Sequence, residues 1–136
     1  MSFVYDNLSL ALSVARKVEH NIRFHHCALI ANKRRIISVG VNQTKTHPKT
    51  TNRYNCLHAE IDAIIGVAEK DLRGATMYVA RAGGTNRETA HMSRPCGHCE
   101  TAILRAGIRH VYYTINNLVA GYWDTLNDTR ENWYFE

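Results

Sequence analysis

Two short fragments constrain this chain more than anything else in it: Cys56-Leu57-His58-Ala59-Glu60 and Pro95-Cys96-Gly97-His98-Cys99. Each stands where a polar stretch gives way to apolar residues at helical spacing, so each reads as the opening of a helix. A Cys-x-x-Cys pair at a helix start suits a soft divalent metal, because the helix N-terminus lowers thiol pKa and zinc binds thiolates. Redox thiols share the spacing, but a redox dithiol has no use for the upstream fragment. If His58 is the third ligand, one imidazole and two thiolates hold the metal, and any fold for the chain must bring two helix N-termini to one point.

The rest of the chain supplies elements for such a fold. Residues 6–20 place Leu8, Leu10, Leu12, Val14, Ala15 and Val18 in an amphipathic pattern, with Asp6 as N-cap, and predict a helix. HHCALIANKRRIISVGVNQ sets two apolar runs on either side of Lys33, Arg34 and Arg35 and predicts a hairpin with those residues in its turn. LHAEIDAIIGVAEKDL then predicts one helix ending before Gly74, and ATMYVAR a strand. Residues 82–94 read as a loop, CGHCETAILRAG as a helix opened by Pro95 and closed by Gly107, and IRHVYYTI as a further strand. Strands alternating with helices imply parallel crossover units beside the antiparallel hairpin. The expected fold class is therefore α/β: a three-layer α/β/α sandwich with a mixed, about five-stranded sheet, in a single domain spanning 1–136. Residues 117–136 have weak periodicity and are placed only loosely. Their aromatics, Tyr122, Trp123, Trp133, Tyr134 and Phe135, read as packing or interface residues. Tyr112 and Tyr113 should alternate faces of their strand, with core packing the expected use of both.

A chain of 136 residues buries enough surface to fold without disulfides. The N-terminus lacks a basic head, a long apolar run and a small-residue cleavage site, so the four cysteines are read as reduced and the protein as cytoplasmic. No apolar run approaches membrane-spanning length, and no membrane partner is expected. The net charge of +5 and pI near 9.2 suggest an anionic partner. Placement matters more than the total. Lys45, His47, Lys49 and Arg53 crowd the loop that leads into Cys56-Leu57-His58, whereas Lys33, Arg34 and Arg35 read as a solvated turn.

Charge counting explains what a His58, Cys96, Cys99 set would be good for. Two thiolates cancel the charge of the zinc ion, so a water there is acidified less than in a three-histidine site, and a nearby base becomes valuable. Glu60 is that base. Residues two apart do not share a helix face, so His58 and Glu60 converge only in the first turn, where side chains reach past the helix end. A closed structural site is the rival reading, with Cys56 completing a Cys₃His set. That reading leaves Glu60 unexplained. Cys56 is otherwise a small buried hydrophobe at the helix entry, and Cys27 a buried residue of an apolar strand.

His58-Ala59-Glu60 followed by Pro95-Cys96-Gly97-His98-Cys99 across a strand and a loop resembles the signature of the zinc-dependent cytidine and deoxycytidylate deaminase superfamily. The element order looks like that family as well, so the resemblance covers about residues 6 to 115. What it implies is zinc ligation by His58, Cys96 and Cys99, with Glu60 as proton shuttle. Ala59 would touch the base through its backbone, and Asn42, in a match to a G-x-N position (Gly40, Val41, Asn42), would contact the sugar or base. The implied reaction is hydrolytic: water attacks the ring carbon bearing the amino group, Glu60 carries a proton to the adjacent ring nitrogen, and ammonia leaves. The expected substrate is a cytosine nucleotide or nucleoside, deoxycytidylate or cytidylate above all, with Lys45, Lys49 and Arg53 holding a phosphate. Arg87 and Arg94 are further candidates. A base in tRNA or single-stranded nucleic acid is the second choice, and a non-catalytic domain with structural zinc the third. The resemblance also suggests a homo-oligomer.

Overall fold

The computed structural model describes residues 3–18, 25–43, 57–83 and 87–135. In chain order the elements are α1 (Phe3–Arg16), β1 (His25–Asn32), β2 (Arg35–Val41), α2 (Ala59–Ile65), α3 (Glu69–Leu72), β3 (Thr76–Gly83), β4 (Thr89–His91), α4 (Gly97–Ala106), β5 (His110–Thr114), β6 (Val119–Asp124) and β7 (Thr129–Tyr134). The strands form one seven-stranded sheet in the order β2-β1-β3-β5-β6-β7, with β4 paired to the far end of β3. Only β3 and β5, joined through α4, run parallel among these pairs, and the other pairs are antiparallel. The sheet is mixed, as expected.

Strand alternation sorts the core into two layers. In β1 and β3, Cys27, Leu29, Ala31, Tyr78, Ala80 and Ala82 pack with Leu8, Ala11 and Ala15 of α1. Their neighbours Ala28, Ile30, Met77 and Val79 face the other way, onto Ala59 and Ala63 of α2, Leu72 of α3 and Ile103 of α4. The result is the three-layer α/β/α sandwich, with α1 the one helix on its side of the sheet among the described residues.

Seven strands replace the expected five, and each addition has a cause. β4 arises because the stretch read as a loop folds back on β3, pairing Arg81 with His91 and Gly83 with Thr89. β6 and β7 form a hairpin turning at Asp128, whose φ of 53° puts it in the left-handed region and whose carboxylate accepts the Trp123 indole N–H at 3.0 Å. Gly121 reads as a breaker in the sequence but makes room in the sheet: a Cβ there would lie within 2.5 Å of the Tyr113 ring and hydroxyl. Trp123 is fully buried under this arrangement, while Tyr134 is exposed.

The first hairpin turns at Lys33 and Arg34, both at positive φ (51° and 66°), the two-residue geometry whose twist suits flanking strands. Arg35 already belongs to β2, paired with Asn32. α1 begins earlier than expected and ends at Arg16, so Asp6 lies inside its first turn. Its end is held by Arg87 of the β3–β4 connection, whose Nη1 donates to the carbonyls of Arg16 (3.3 Å) and Val18 (2.6 Å). In return Arg16 donates to the carbonyls of Arg87 and Glu88. The helix expected over 57–72 is two, broken at Gly66, which caps α2. α4 closes at Gly107 with φ 81°, as the sequence indicates, and Pro95 stands one residue before its N-cap. No helix among the described residues is long and apolar enough to cross a membrane.

Candidate active site

The site is built where α2 and α4 point their N-termini at one another. His58 and Cys96 are the N-cap residues of the two helices, both extended (ψ 149° and 170°) and neither capping its helix with its side chain. Their side chains therefore project across the helix ends. Cys99 follows in the first turn of α4, fully buried. His58 Nδ1 lies 3.3 Å from Cys99 Sγ and 3.7 Å from Cys96 Sγ, and the three donor atoms all lie within 4.8 Å of one another. Tetrahedral zinc with ordinary bond lengths separates such ligand pairs by about 3.6 Å. The cradle fits the ion.

Electrostatics point the same way. Burial pushes the Cys99 thiol far up, and the Glu60 carboxylate and Cys96 raise it further. Burial, with His98 nearby, lowers His58 and keeps its imidazole neutral. A neutral imidazole and a buried Cys99 thiol that ionises only against a cation belong to a donor set that a divalent metal completes.

Glu60 sits behind these ligands, 4% exposed, with Oε1 lacking a hydrogen-bond partner among the described residues. Burial raises its pKa to about 7, against the lowering effect of hydrogen bonds from its own backbone and from Cys99. A carboxyl in that range both takes and returns a proton near neutral pH, which is what a shuttle needs.

Packing fixes this geometry. Gly40 of β2 lies so close under α2 that a Cβ would fall within 2.9 Å of the Ala59 carbonyl oxygen and of Ala63 backbone atoms. Asp62 Oδ2 accepts the Val41 N–H at 3.0 Å, and Ser38 Oγ donates to the Ala63 carbonyl at 2.6 Å. Asn42, two residues beyond Gly40, is buried, and its Oδ1 accepts the His26 N–H at 2.8 Å, which orients the carboxamide. On α4, Glu100 beside Cys99 accepts from Arg130 of β7 at 2.6 Å and pairs with Arg94 at 3.6 Å. The Arg130 guanidinium in turn lies 4.5 Å over the Trp123 ring.

The structure thus brings together His58, Cys96, Cys99 and Glu60, with Ala59 and Asn42 against the same helix–strand contact. Arg87 is engaged on α1 and Arg94 on Glu100. Lys45, Lys49, Arg53 and Cys56 lie outside the described residues. Cys27 is a free, buried thiol pushed up to about 12 by burial. Tyr113 packs in the core under α2 and α4, and Tyr112 stacks among Tyr78, Tyr122 and Trp133 on the opposite face. His26, expected from the sequence to be a polar surface or satisfied core residue, and Arg81 lie on the α2 side of β1 and β3. The alternation of His26 with Ala28 and Ile30 was the available signal.

A model of the cytidine and deoxycytidylate deaminase zinc-binding region matches residues 2–115. The chain belongs to that family. With the ligand set in place, it is a zinc-dependent hydrolytic deaminase. Among solved structures the deaminase is similar to the dCMP deaminase of the cyanophage S-TIM5 in complex with dCMP and dUMP, at TM-score 0.59 and 22% identity over 80% of this chain and 78% of that one. It is similar also to RibD of Acinetobacter baumannii, at TM-score 0.55 and 19% identity, covering 83% of this chain and 28% of that one. A third is the diaminohydroxyphosphoribosylaminopyrimidine deaminase/5-amino-6-(5-phosphoribosylamino)uracil reductase of Thermotoga maritima, at TM-score 0.51 and 25% identity, covering 82% and 29%. The deaminase therefore spans under a third of the length of these last two proteins. No curated protein sequence matches it significantly.

His58, Cys96 and Cys99 would hold zinc, which would supply the Lewis acidity that readies a water for attack near neutral pH. Glu60, buried and with a pKa near 7, would be the group able to take up and give back a proton beside that metal.

Proposed function

We propose that the protein converts a cytosine nucleotide or nucleoside, with deoxycytidylate or cytidylate first, to its uracil form with release of ammonia. Atoms balance without an organic cofactor: water supplies the oxygen that replaces nitrogen at C4, Glu60 relays the protons, and ammonia is the leaving group. The observation that carries the reading is Glu60, a buried carboxyl near neutrality set directly behind three metal-ligating donors. A structural zinc would have no use for it. For the substrate, support comes from the company the fold keeps. One similar structure holds dCMP and dUMP, and another is named for a phosphoribosyl aminopyrimidine, so both neighbours act on phosphate-bearing pyrimidines. The basic loop of Lys45, Lys49 and Arg53 is the sequence's own provision for a phosphate. The reading includes a homo-oligomer working in a cytoplasmic compartment that keeps the thiols reduced.

The test is ammonia release by zinc-loaded protein from cytosine and adenine nucleosides, their mono- and triphosphates and short oligonucleotides, with Glu60→Gln alongside. Turnover of cytidylate or deoxycytidylate is expected, abolished in the variant while its zinc content stays the same. Turnover of oligonucleotides alone would overturn the small-molecule reading.

A further inference from the structure

The α1 side of the sheet holds a cavity that the deamination chemistry does not use. It lies between α1, the start of β4, the turn from β5 to β6 and the residue after β7, and has a volume of about 310 Å³. Leu8, which lines it, belongs to the core between α1 and the sheet, whereas Ala59 of α2 and Ile103 of α4 belong to the core on the opposite side. The sheet therefore stands between this cavity and His58, Cys96 and Cys99. A molecule held here does not compete for the metal.

The lining is of two kinds. Leu8 and Leu12, one turn apart on α1, Ala90 of β4 and Phe135 make the apolar part. Tyr5 sets its ring edge-on to that of Phe135, with centroids 5.2 Å apart, so an aromatic pair forms one wall. The polar part is rich in donors. Ser9 and Ser13 stand one turn apart on α1, on the same face of the helix. Asn116 Oδ1 accepts the N–H groups of Leu118 and Val119 at 2.8 and 2.9 Å, and Asn117 Oδ1 accepts the Ala90 N–H at 2.7 Å. Each carboxamide thus has its oxygen engaged, and its N–H₂ group is what it can offer a ligand.

Charge narrows the choice further. Arg16 and Glu88 both line the cavity, one of each sign. Arg16 already donates from Nε to the Arg87 carbonyl at 3.1 Å and from Nη2 to the Glu88 carbonyl at 2.7 Å. An anion here meets the Glu88 carboxylate, opposed by a guanidinium with two of its donors committed, and a cation meets Arg16. A volume at the small end of the range for ligand sites, apolar on one side with a few convergent polar groups on the other, suits a compact molecule without net charge.

We propose that this cavity is a second binding site, for a small uncharged heterocycle with ring carbonyl oxygens. The ring packs against Leu12 and Phe135, and its oxygens accept from Ser9, Ser13 and the two asparagines. The site goes beyond the deamination reading and binds its ligand whichever substrate the metal centre takes.

The test is an NMR titration of zinc-loaded, ¹⁵N-labelled protein with uracil and hypoxanthine, and with orotate, which is uracil carrying a carboxylate. The reporters are the side-chain N–H₂ signals of Asn116 and Asn117 and the Ala90 amide. Uracil or hypoxanthine should give saturable shifts at all three, with orotate at least tenfold weaker than uracil. Replacing both serines, Ser9→Ala with Ser13→Ala, keeps α1 helical and should weaken binding by about tenfold or more, the scale of two lost hydrogen bonds, with the thermal midpoint unchanged. Ser13→Phe, which fills the cavity with its own ring, should abolish the shifts, and if it does not fold the alanine pair decides alone. The absence of saturable shifts at the three reporters overturns the proposal. So do shifts confined to the amides around His58 and Glu60, equal affinity for orotate, or unchanged affinity in the alanine pair. Ammonia release at the metal site is read separately, so a failure here and a failure of the deaminase reading are told apart.

Discussion

Gly40 is the described glycine where one added methyl group should do the most harm to the site. An added Cβ would meet the Ala59 carbonyl oxygen and the Ala63 nitrogen and Cα, the farthest of them at 2.9 Å, where ordinary contact begins at 3.4 Å. All three are backbone atoms of a helix, so no rotamer change relieves the clash. α2 must withdraw by about 1 Å, and overpacking of this kind costs about 1–3 kcal/mol. The greater damage falls on the site. Ala59 lies between His58 and Glu60, so the withdrawal moves both, while Cys96 and Cys99 stay with α4. A displacement of about 1 Å at reacting groups costs on the order of a hundredfold in rate. Gly40→Ala should therefore lower kcat/KM by about that factor, weaken zinc retention in chelator competition, and reduce the thermal midpoint modestly. Gly66→Ala is the control, since nothing lies within 4 Å of a Cβ there and its φ of −87° suits alanine. If Gly40→Ala matched wild type in zinc affinity and activity, the close contact of β2 and α2 would not be what positions the metal ligands.

The other predictions concern stability. Gly121→Ala drives a methyl into the Tyr113 ring and should destabilise by about 1–3 kcal/mol, read as a lower urea midpoint at unchanged slope, and wild-type stability would refute the packing account. Burial above all, with the charges of Arg81, His58 and His25 adding to it, lowers His26 from 6.5 in the unfolded chain to about 4 in the folded one. Between those values the unfolded state binds more protons, so the stability this group confers is complete above about pH 6.5 and is lost as pH falls toward 4. The loss approaches about 3 kcal/mol. Urea unfolding of wild type and His26→Gln across that range should show the variant losing less, and parallel curves would refute the assignment.

How far the sequence could be read depended on whether a feature was local. The ligands and Glu60 were legible because each sits in the first turn of a helix whose start is marked by neighbours in the chain, and Gly107 marked the end of α4 in the same way. The hairpin of β1 and β2 declared itself through apolar runs on either side of a charged turn. β4, β6 and β7 did not, because their residues make sense only beside other strands. Gly121 is a breaker until Tyr113 lies across it, and the polar run Thr129-Arg130-Glu131-Asn132 reads as coil until it pairs with β6. His26 and Arg81 escaped for a related reason. They are 55 residues apart in sequence, and only the β1–β3 register makes them neighbours. The split of α2 from α3 at Gly66 was concealed by apolar residues that keep helical spacing across the break.

The family match stops at residue 115, yet the mechanical support of the site does not. Arg130 reaches from the last strand to Glu100, next to a metal ligand, and rests on Trp123 while doing so. Ending the chain at that border would strip β5 to a raw sheet edge, leave the space beneath α4 unfilled, and take from Glu100 the closer of its two counterions. The C-terminal hairpin acts as a buttress on the outer flank of the catalytic helix. Two chains that share every family residue can therefore differ in how stiffly they hold zinc, according to what each has built beyond the shared region.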